Sequence, residues 1–152
     1  SLLVRLGQEK EQCNCRYSMS QSADFVVSAV VLRDPQGRVL VVRKRGTTRY
    51  MLPGGKIENG ETPAQAAIRE LNEEVGAVLD AAQLRFLGDW ITAAANEPNH
   101  SVHGYIFEHP WIDGLAVQAE IDDLLWLHPE EMIQRNDLAP LLTERVLPAL
   151  QS

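Results

Sequence analysis

The chain has 152 residues, 45% of them hydrophobic and 23% charged, and a formal net charge of −7. That length fits one domain able to bury a core without disulfides or structural metal. The acidic balance argues against a polynucleotide or an anionic membrane as the main partner, and with no apolar run of spanning length and no signal-type segment at the start, the default expectation is a cytoplasmic protein.

Residues 1–22 are polar without sustained periodicity and read as an N-terminal extension, its first 18 residues either a vector remnant or an upstream extension, because Met19 looks like a natural start. Cys13 and Cys15 have no partners that would complete a zinc site and read as incidental thiols. Residues 23–152 read as a single domain. Residues 24–33 are β-branched and apolar, the pattern of a buried strand. Asp34-Pro35-Gln36-Gly37 is a turn, and residues 38–45 form the return strand of a hairpin. Side-chain alternation puts Arg43 and Arg45 on one face of that strand. Residues 46–50 are a loop, and Met51-Leu52 leads into a glycine turn around Gly54 and Gly55.

A capped helix follows. Thr62 caps its free N–H groups, Pro63 suits the first helical position, and Gln65 completes a capping box. Gly76 ends it as a left-handed cap. Ala64, Ala67, Ile68, Leu71 and Val75 fall within roughly 100° of one another, which makes them the buried face. Further on, residues 84–94 read as a strand with a bulge at Gly88, 96–99 as a turn and 101–108 as a long strand. Residues 110–117 are a loop with a short extended piece, and 120–127 run into a strand. Pro129 starts a helix, and residues 138–150 form a final amphipathic helix.

Glu70, Glu73 and Glu74 stand at i, i+3 and i+4 on the flank of the apolar stripe, so their carboxylates are expected to converge on one patch. Three like charges so close repel, and a hard divalent cation with oxygen ligands resolves the conflict. Mg²⁺ or Mn²⁺ held there would bind a pyrophosphate, polarise phosphorus and lower the pKa of an attacking water. Arg69 is placed to fold over to Glu61 as a bidentate ion pair. For a bare E-x-x-E-E the alternative is a solvated acidic face.

The full spacing decides between these readings. Gly55, five residues, Glu61, seven residues, Arg69-Glu70-Leu71, one residue, Glu73-Glu74, one residue and Gly76 resemble the Nudix box, G-x5-E-x7-R-E-U-x-E-E-x-G-U, where U is bulky and aliphatic. Only Ala77, at the last U, departs from it. The resemblance implies an α/β fold, the Nudix-type α/β/α sandwich around a mixed β-sheet. It also implies a hydrolase that cleaves a nucleoside diphosphate linked to a moiety X with Mg²⁺ or Mn²⁺. Carried over by position, Glu70, Glu73 and Glu74 resemble metal ligands and catalytic groups. The Gly54 carbonyl resembles a further ligand, Lys56 a residue near substrate phosphates, and Glu61 with Arg69 a structural brace. Glu120 matches an acidic position that in several members supplies an extra ligand or base, with Asp122, Asp123 and Glu97 competing for that role.

The box most resembles the MutT type, which implies cleavage of a nucleoside triphosphate to the monophosphate and pyrophosphate. Markers of ADP-ribose, dinucleoside-polyphosphate and NADH hydrolases are not found, although the first two activities stay as alternatives. Prenyl-diphosphate isomerisation is disfavoured, because that branch uses a sheet cysteine absent here. A non-catalytic nucleotide-sensing domain is the alternative outside enzymes. For the substrate, Phe25 is a candidate to stack on a base, against a plain core position. Arg43 and Arg45 are candidates for phosphate contacts, against solvated arginines, and Tyr50 is a candidate shield for the phosphate end, against simple packing. The expected partner is a nucleotide-type small molecule, with no nucleic acid and no membrane; monomer and homodimer both stay open.

Overall fold

The computed structural model describes residues 23–118 and 120–150; the readings of residues 1–22, with Cys13 and Cys15, lie outside the described residues. In chain order come β1 (Phe25–Leu32), β2 (Val39–Lys44), β3 (Gly54–Lys56), α1 (Pro63–Val75), β4 (Arg85–Ala93), β5 (Ser101–His109), β6 (Ile121–Leu127), α2 (Pro129–Ile133) and α3 (Leu147–Leu150). A 3-10 turn lies at Ala81–Gln83 and a π turn at Leu142–Val146.

Alternation along β1 and β2 builds two cores. Val30, Leu32, Leu40 and Val42 point to one side, where Ala67, Leu71 and Val75 of α1 meet them. Their neighbours Ala29, Val31, Val39 and Val41 point to the other, against Met132, Leu142, Val146 and Leu147. Strands buried on both faces read as continuous apolar runs, as these do. Helices therefore cover both sides of a layer of strands, the α/β/α sandwich implied above. The larger sheet runs β3-β1-β5-β4. It is mixed, with β1 parallel to β5 and antiparallel to β3.

The hairpin does not form. The turn itself is made, with the Gly37 N–H donating to the Asp34 carbonyl at 2.9 Å, but β1 and β2 then share only the bridge Arg33–Val39. Both edges of β1 are taken by β3 and β5, so β2 diverges and pairs with β6 instead. The glycine turn is also corrected: Gly54–Lys56 is a short strand on β1. A Cβ on Gly54 would lie 2.1 Å from the Ser28 carbonyl oxygen and 2.6 Å from Ala29 Cα. Only glycine permits that approach of two backbones.

Helix α1 has the expected ends. The Gln65 N–H donates to Thr62 Oγ1 at 3.1 Å, and the Thr62 N–H donates to the Gln65 side chain at 2.9 Å. Gly76 takes φ 68° beyond the last turn. The buried face differs from expectation, because Ala66 and Glu74 are buried while Ala64 and Ile68 are only half-buried. Positions 66, 70 and 74 form a second inward row beside 67, 71 and 75, and that row faces the glycines of β3. The bulge near Gly88 is present, as a register shift between Phe86 and Gly88. Residues 110–117 contain no strand. The last helical stretch begins at residue 140, because Leu138 bridges to Tyr50 in extended form.

Candidate active site

The edge of β3 and the inner row of α1 create a buried polar seam. Ser28 Oγ donates to the Pro63 carbonyl at 2.7 Å and pins the start of α1 to β1. About three turns further along α1, Glu74, with 5% of its side chain exposed, lies under β3. Its Oε1 accepts from the Gly54 N–H at 3.2 Å and its Oε2 from Lys44 Nζ at 2.9 Å. The same Nζ donates to the Gly54 carbonyl at 3.2 Å. Burial pushes the Glu74 carboxyl above its usual range, and the Lys44 charge offsets part of that.

Arg69 organises the outer part. Its Nε and Nη2 donate to the two carboxylate oxygens of Glu61 at 2.7 and 2.9 Å. Nη2 also donates to the Lys56 carbonyl at 3.0 Å, fastening the loop to β3. Nη1 donates to Glu70 Oε2 at 2.9 Å and to Glu73 Oε1 at 3.2 Å. The Arg69 bonds hold the Glu61 carboxyl at about 2.

The expected convergence of three carboxylates is not seen. Glu74 turns in under Gly54, Glu70 lies against Gly55, and Glu73 stays 58% exposed beside Arg69. Among the described residues no three acidic or histidine side chains meet in one cluster. The physical reason is charge: Lys44 draws Glu74 inward, while Nη1 of Arg69 holds Glu70 and Glu73 together. The donor set nonetheless fits a hard divalent ion, since it consists of carboxylate oxygens and the Gly54 carbonyl. Gly55 also gives up its side-chain volume to Glu70, because a Cβ there would sit 2.4 Å from the Glu70 carboxyl carbon.

Beside this seam opens a cavity of ≈ 210 Å³. Lys44, Gly54, Gly55 and Lys56 line its polar end, while Phe25, Met51, Leu52, Val102 and Leu141 contribute apolar wall. Lys56 Nζ lies 4.9 Å from the centre of the Phe25 ring, a cation–π distance. The segment Ala93–Asn96 closes one side, and the Asn96 Oδ1 accepts the Thr48 and Arg49 N–H groups at 3.3 Å each. Asn96 Nδ2 is buried without a hydrogen-bond partner among the described residues.

Other candidates are placed elsewhere. Tyr50 is 8% exposed and packs in the core, its hydroxyl donating to Asp123 and its ring flanked by Arg43 and Arg135. Arg43 donates to the Thr47 carbonyl at 3.2 Å and pairs with Asp122 at 3.2 Å. Neither residue lines the cavity. Arg45 lies past the end of β2 and its N–H donates to the Glu120 carbonyl. Glu120 is exposed, just before Ile121, which pairs with Lys44. The sequence reading missed Lys44 and Asn96. Alternation held the signal for Lys44: it belongs with Leu40 and Val42, on the side of α1, opposite Arg43.

The sequence profile of the NUDIX domain matches residues 24–150. A MutT-like protein of Streptomyces ambofaciens is 30% identical over 125 residues, 82% of this chain and 75% of that protein. An RNA pyrophosphohydrolase of Francisella tularensis subsp. mediasiatica is 46% identical over 48 residues, so the match spans 32% of this chain and only 31% of that relative's length. The crystal structure of a MutT protein from Methanosarcina mazei Go1 superposes with a TM-score of 0.71 at 17% identity, covering 84% of this chain and 93% of that one. The chain belongs to the NUDIX family, a family of hydrolases acting on pyrophosphate bonds.

Proposed function

We propose that this chain is a divalent-metal-dependent pyrophosphohydrolase of nucleotides, with nucleoside triphosphates as its substrate class and a nucleoside monophosphate and pyrophosphate as products. The observation that carries this reading is the run from the Phe25 end of the cavity to the Gly54–Gly55 edge, with Glu70 and Glu74 behind that edge. A base enters the apolar end beside Phe25, whose ring carries the Lys56 ammonium at 4.9 Å, and the phosphates extend past Lys56 toward Lys44 and the carboxylates. The MutT-type resemblance of the box favours a nucleoside triphosphate over a longer or branched X group, and the MutT-like relative is in keeping with that type. The net charge of −7 disfavours a polynucleotide substrate.

Glu70, Glu74 and the Gly54 carbonyl would hold Mg²⁺ or Mn²⁺, with Glu73 and Glu120 as outer candidates. A bound divalent ion supplies charge neutralisation at phosphorus and a more acidic water. The chain's own residues do the rest. Arg69 occupies Oε2 of Glu70 and leaves Oε1 toward the ion, while the neighbouring, more exposed carboxylate of Glu73 takes the proton of the attacking water. Water oxygen bonds to phosphorus, the anhydride P–O bond breaks, and pyrophosphate leaves. Glu61 keeps Arg69 from swinging away, which fixes Glu70 in turn.

The test is a panel of nucleoside triphosphates, deoxynucleoside triphosphates, ADP-ribose, dinucleoside polyphosphates and sugar nucleotides, each with Mg²⁺ or Mn²⁺. The expected result is the highest kcat/KM on one or more triphosphates. A higher value on ADP-ribose or a dinucleoside polyphosphate would replace the substrate class. Tight nucleotide binding with no turnover on any of them would replace the enzyme by a sensor.

A further inference from the structure

Lys44 sits where two cations want to be. Its Nζ lies 2.9 Å from Glu74 Oε2 and 3.2 Å from the Gly54 carbonyl oxygen. These are two of the oxygens assigned above to a divalent ion. The Glu74 carboxylate has one other hydrogen-bond partner among the described residues, the Gly54 N–H. A buried carboxylate left with so little compensation is costly, so a cation must stand beside it.

An ammonium and a divalent ion cannot both take these oxygens. A magnesium ion contacts its oxygen ligands at about 2.1 Å. An ammonium bonded to the same two groups would then face a doubly charged ion across a few ångström, with strong repulsion in a poorly solvated seam. One of the two has to leave. Lys44 is built to do so. A register shift in the β2–β6 ladder falls between Arg43 and Lys44, at the end of the strand. Its side chain is one-third exposed and lines the cavity, so the ammonium has open space within reach.

We propose that Lys44 is a displaceable internal cation, a positioning residue that competes with the divalent ion for Glu74 and the Gly54 carbonyl and thereby sets the metal affinity of the site. This rests on the metal-site reading above. A consequence is coupling: the ammonium released by the metal lies along the cavity where an anionic nucleotide would give it a new partner. Metal and nucleotide then each strengthen the other's binding. A lysine that merely packs would predict the opposite, because losing it would disorder Glu74 and weaken the metal site.

The experiment is Mn²⁺ titration of the full chain by electron paramagnetic resonance, with no nucleotide, comparing wild type with Lys44→Met and Lys44→Arg. Removing the competing charge is expected to tighten Mn²⁺ binding on the order of tenfold in the Met variant, and the Arg variant should return toward wild type. The EDTA-treated Met variant should melt below wild type and gain more from added Mn²⁺. Unchanged or weaker Mn²⁺ binding in the Met variant overturns the proposal, whatever happens to turnover. If that variant does not fold, the ¹³Cε resonance of Lys44 in the wild type serves instead: it should shift on Mg²⁺ addition, and an unmoved signal overturns the proposal. A wild-type chain that binds no Mn²⁺ removes both this proposal and the metal reading. Lys44-dependent Mn²⁺ binding without hydrolysis of any nucleotide would sink only the hydrolase reading.

Discussion

Glu61 and Glu74 are both glutamates paired with a basic side chain, yet their proton affinities move in opposite directions, because the pairing dominates at Glu61 and burial dominates at Glu74. Glu61 takes two parallel bonds from Arg69 and is held at about 2. Glu74 meets one lysine and one backbone N–H in a buried seam, and desolvation raises it. The bidentate fork matches both oxygens of Glu61 and satisfies them. The point charge of Lys44 is divided between Glu74 and the Gly54 carbonyl. Two carboxylates bound by the same stretch of sequence thus do different work. The first is locked and holds a loop to a helix; the second is strained by burial and gains most from a stronger cation.

The sharpest way to break this contrast is to neutralise each carboxylate in turn. Glu74→Gln should lower turnover on the best nucleotide on the order of 10²-fold or more, the scale of lost charge stabilisation in a closed site. Its circular dichroism should match wild type, and steady-state kinetics with full activity would refute the assignment. Arg69→Ala attacks the locked side. Freed from Arg69, Glu61 and Glu70 lose their orientation, and kcat/KM should fall roughly 10–100-fold, as for residues that orient ligands. Smaller again is the effect at the far end of the cavity. Phe25→Ala should raise KM about tenfold through lost contact with the base, with kcat little changed.

The smallest effect separates the two carboxylates by sign, in urea midpoints measured with EDTA across pH. Glu61 lies at about 2 against an ordinary 4.5. Its contribution is complete above pH 4.5 and is lost as pH falls toward 2. Glu61→Gln should flatten that acid-side loss. Glu74 is raised above 4.5, so the native state holds the extra proton and stability declines as pH rises through its folded value. Glu74→Gln should remove that decline. Identical pH slopes in the two variants would end the contrast.

How much of this was readable from residues alone follows from where each determinant lies. Thr62, Gln65 and Gly76 act within a few positions of themselves, so the helix ends were readable. The spacing of Glu61, Arg69 and Glu70 placed the brace on one side of the helix for the same reason. The fate of β1 was not readable. A turn at Asp34–Gly37 looks the same whether its strands pair or part, and the outcome was set by β3 and β5 occupying both edges of β1. The depth of Glu74 was hidden because a glutamate ordinarily marks an exposed face. It lies inside because Gly54 and Gly55 bring bare backbone against positions 66, 70 and 74. Tyr50 read as a phosphate shield or a packing residue from its place before the glycines, and Asp123 and Arg135, distant in sequence, together with nearby Arg43, hold it in the core.

The central claim is that the seam of Gly54, Glu70 and Glu74 cuts a nucleoside triphosphate so as to release pyrophosphate. Phosphorus-31 NMR of the products formed from a triphosphate and Mg²⁺ tests it directly. The account predicts equal amounts of nucleoside monophosphate and pyrophosphate, suppressed together in Glu74→Gln. Nucleoside diphosphate with inorganic phosphate, or products unaffected by Glu74→Gln, would contradict it.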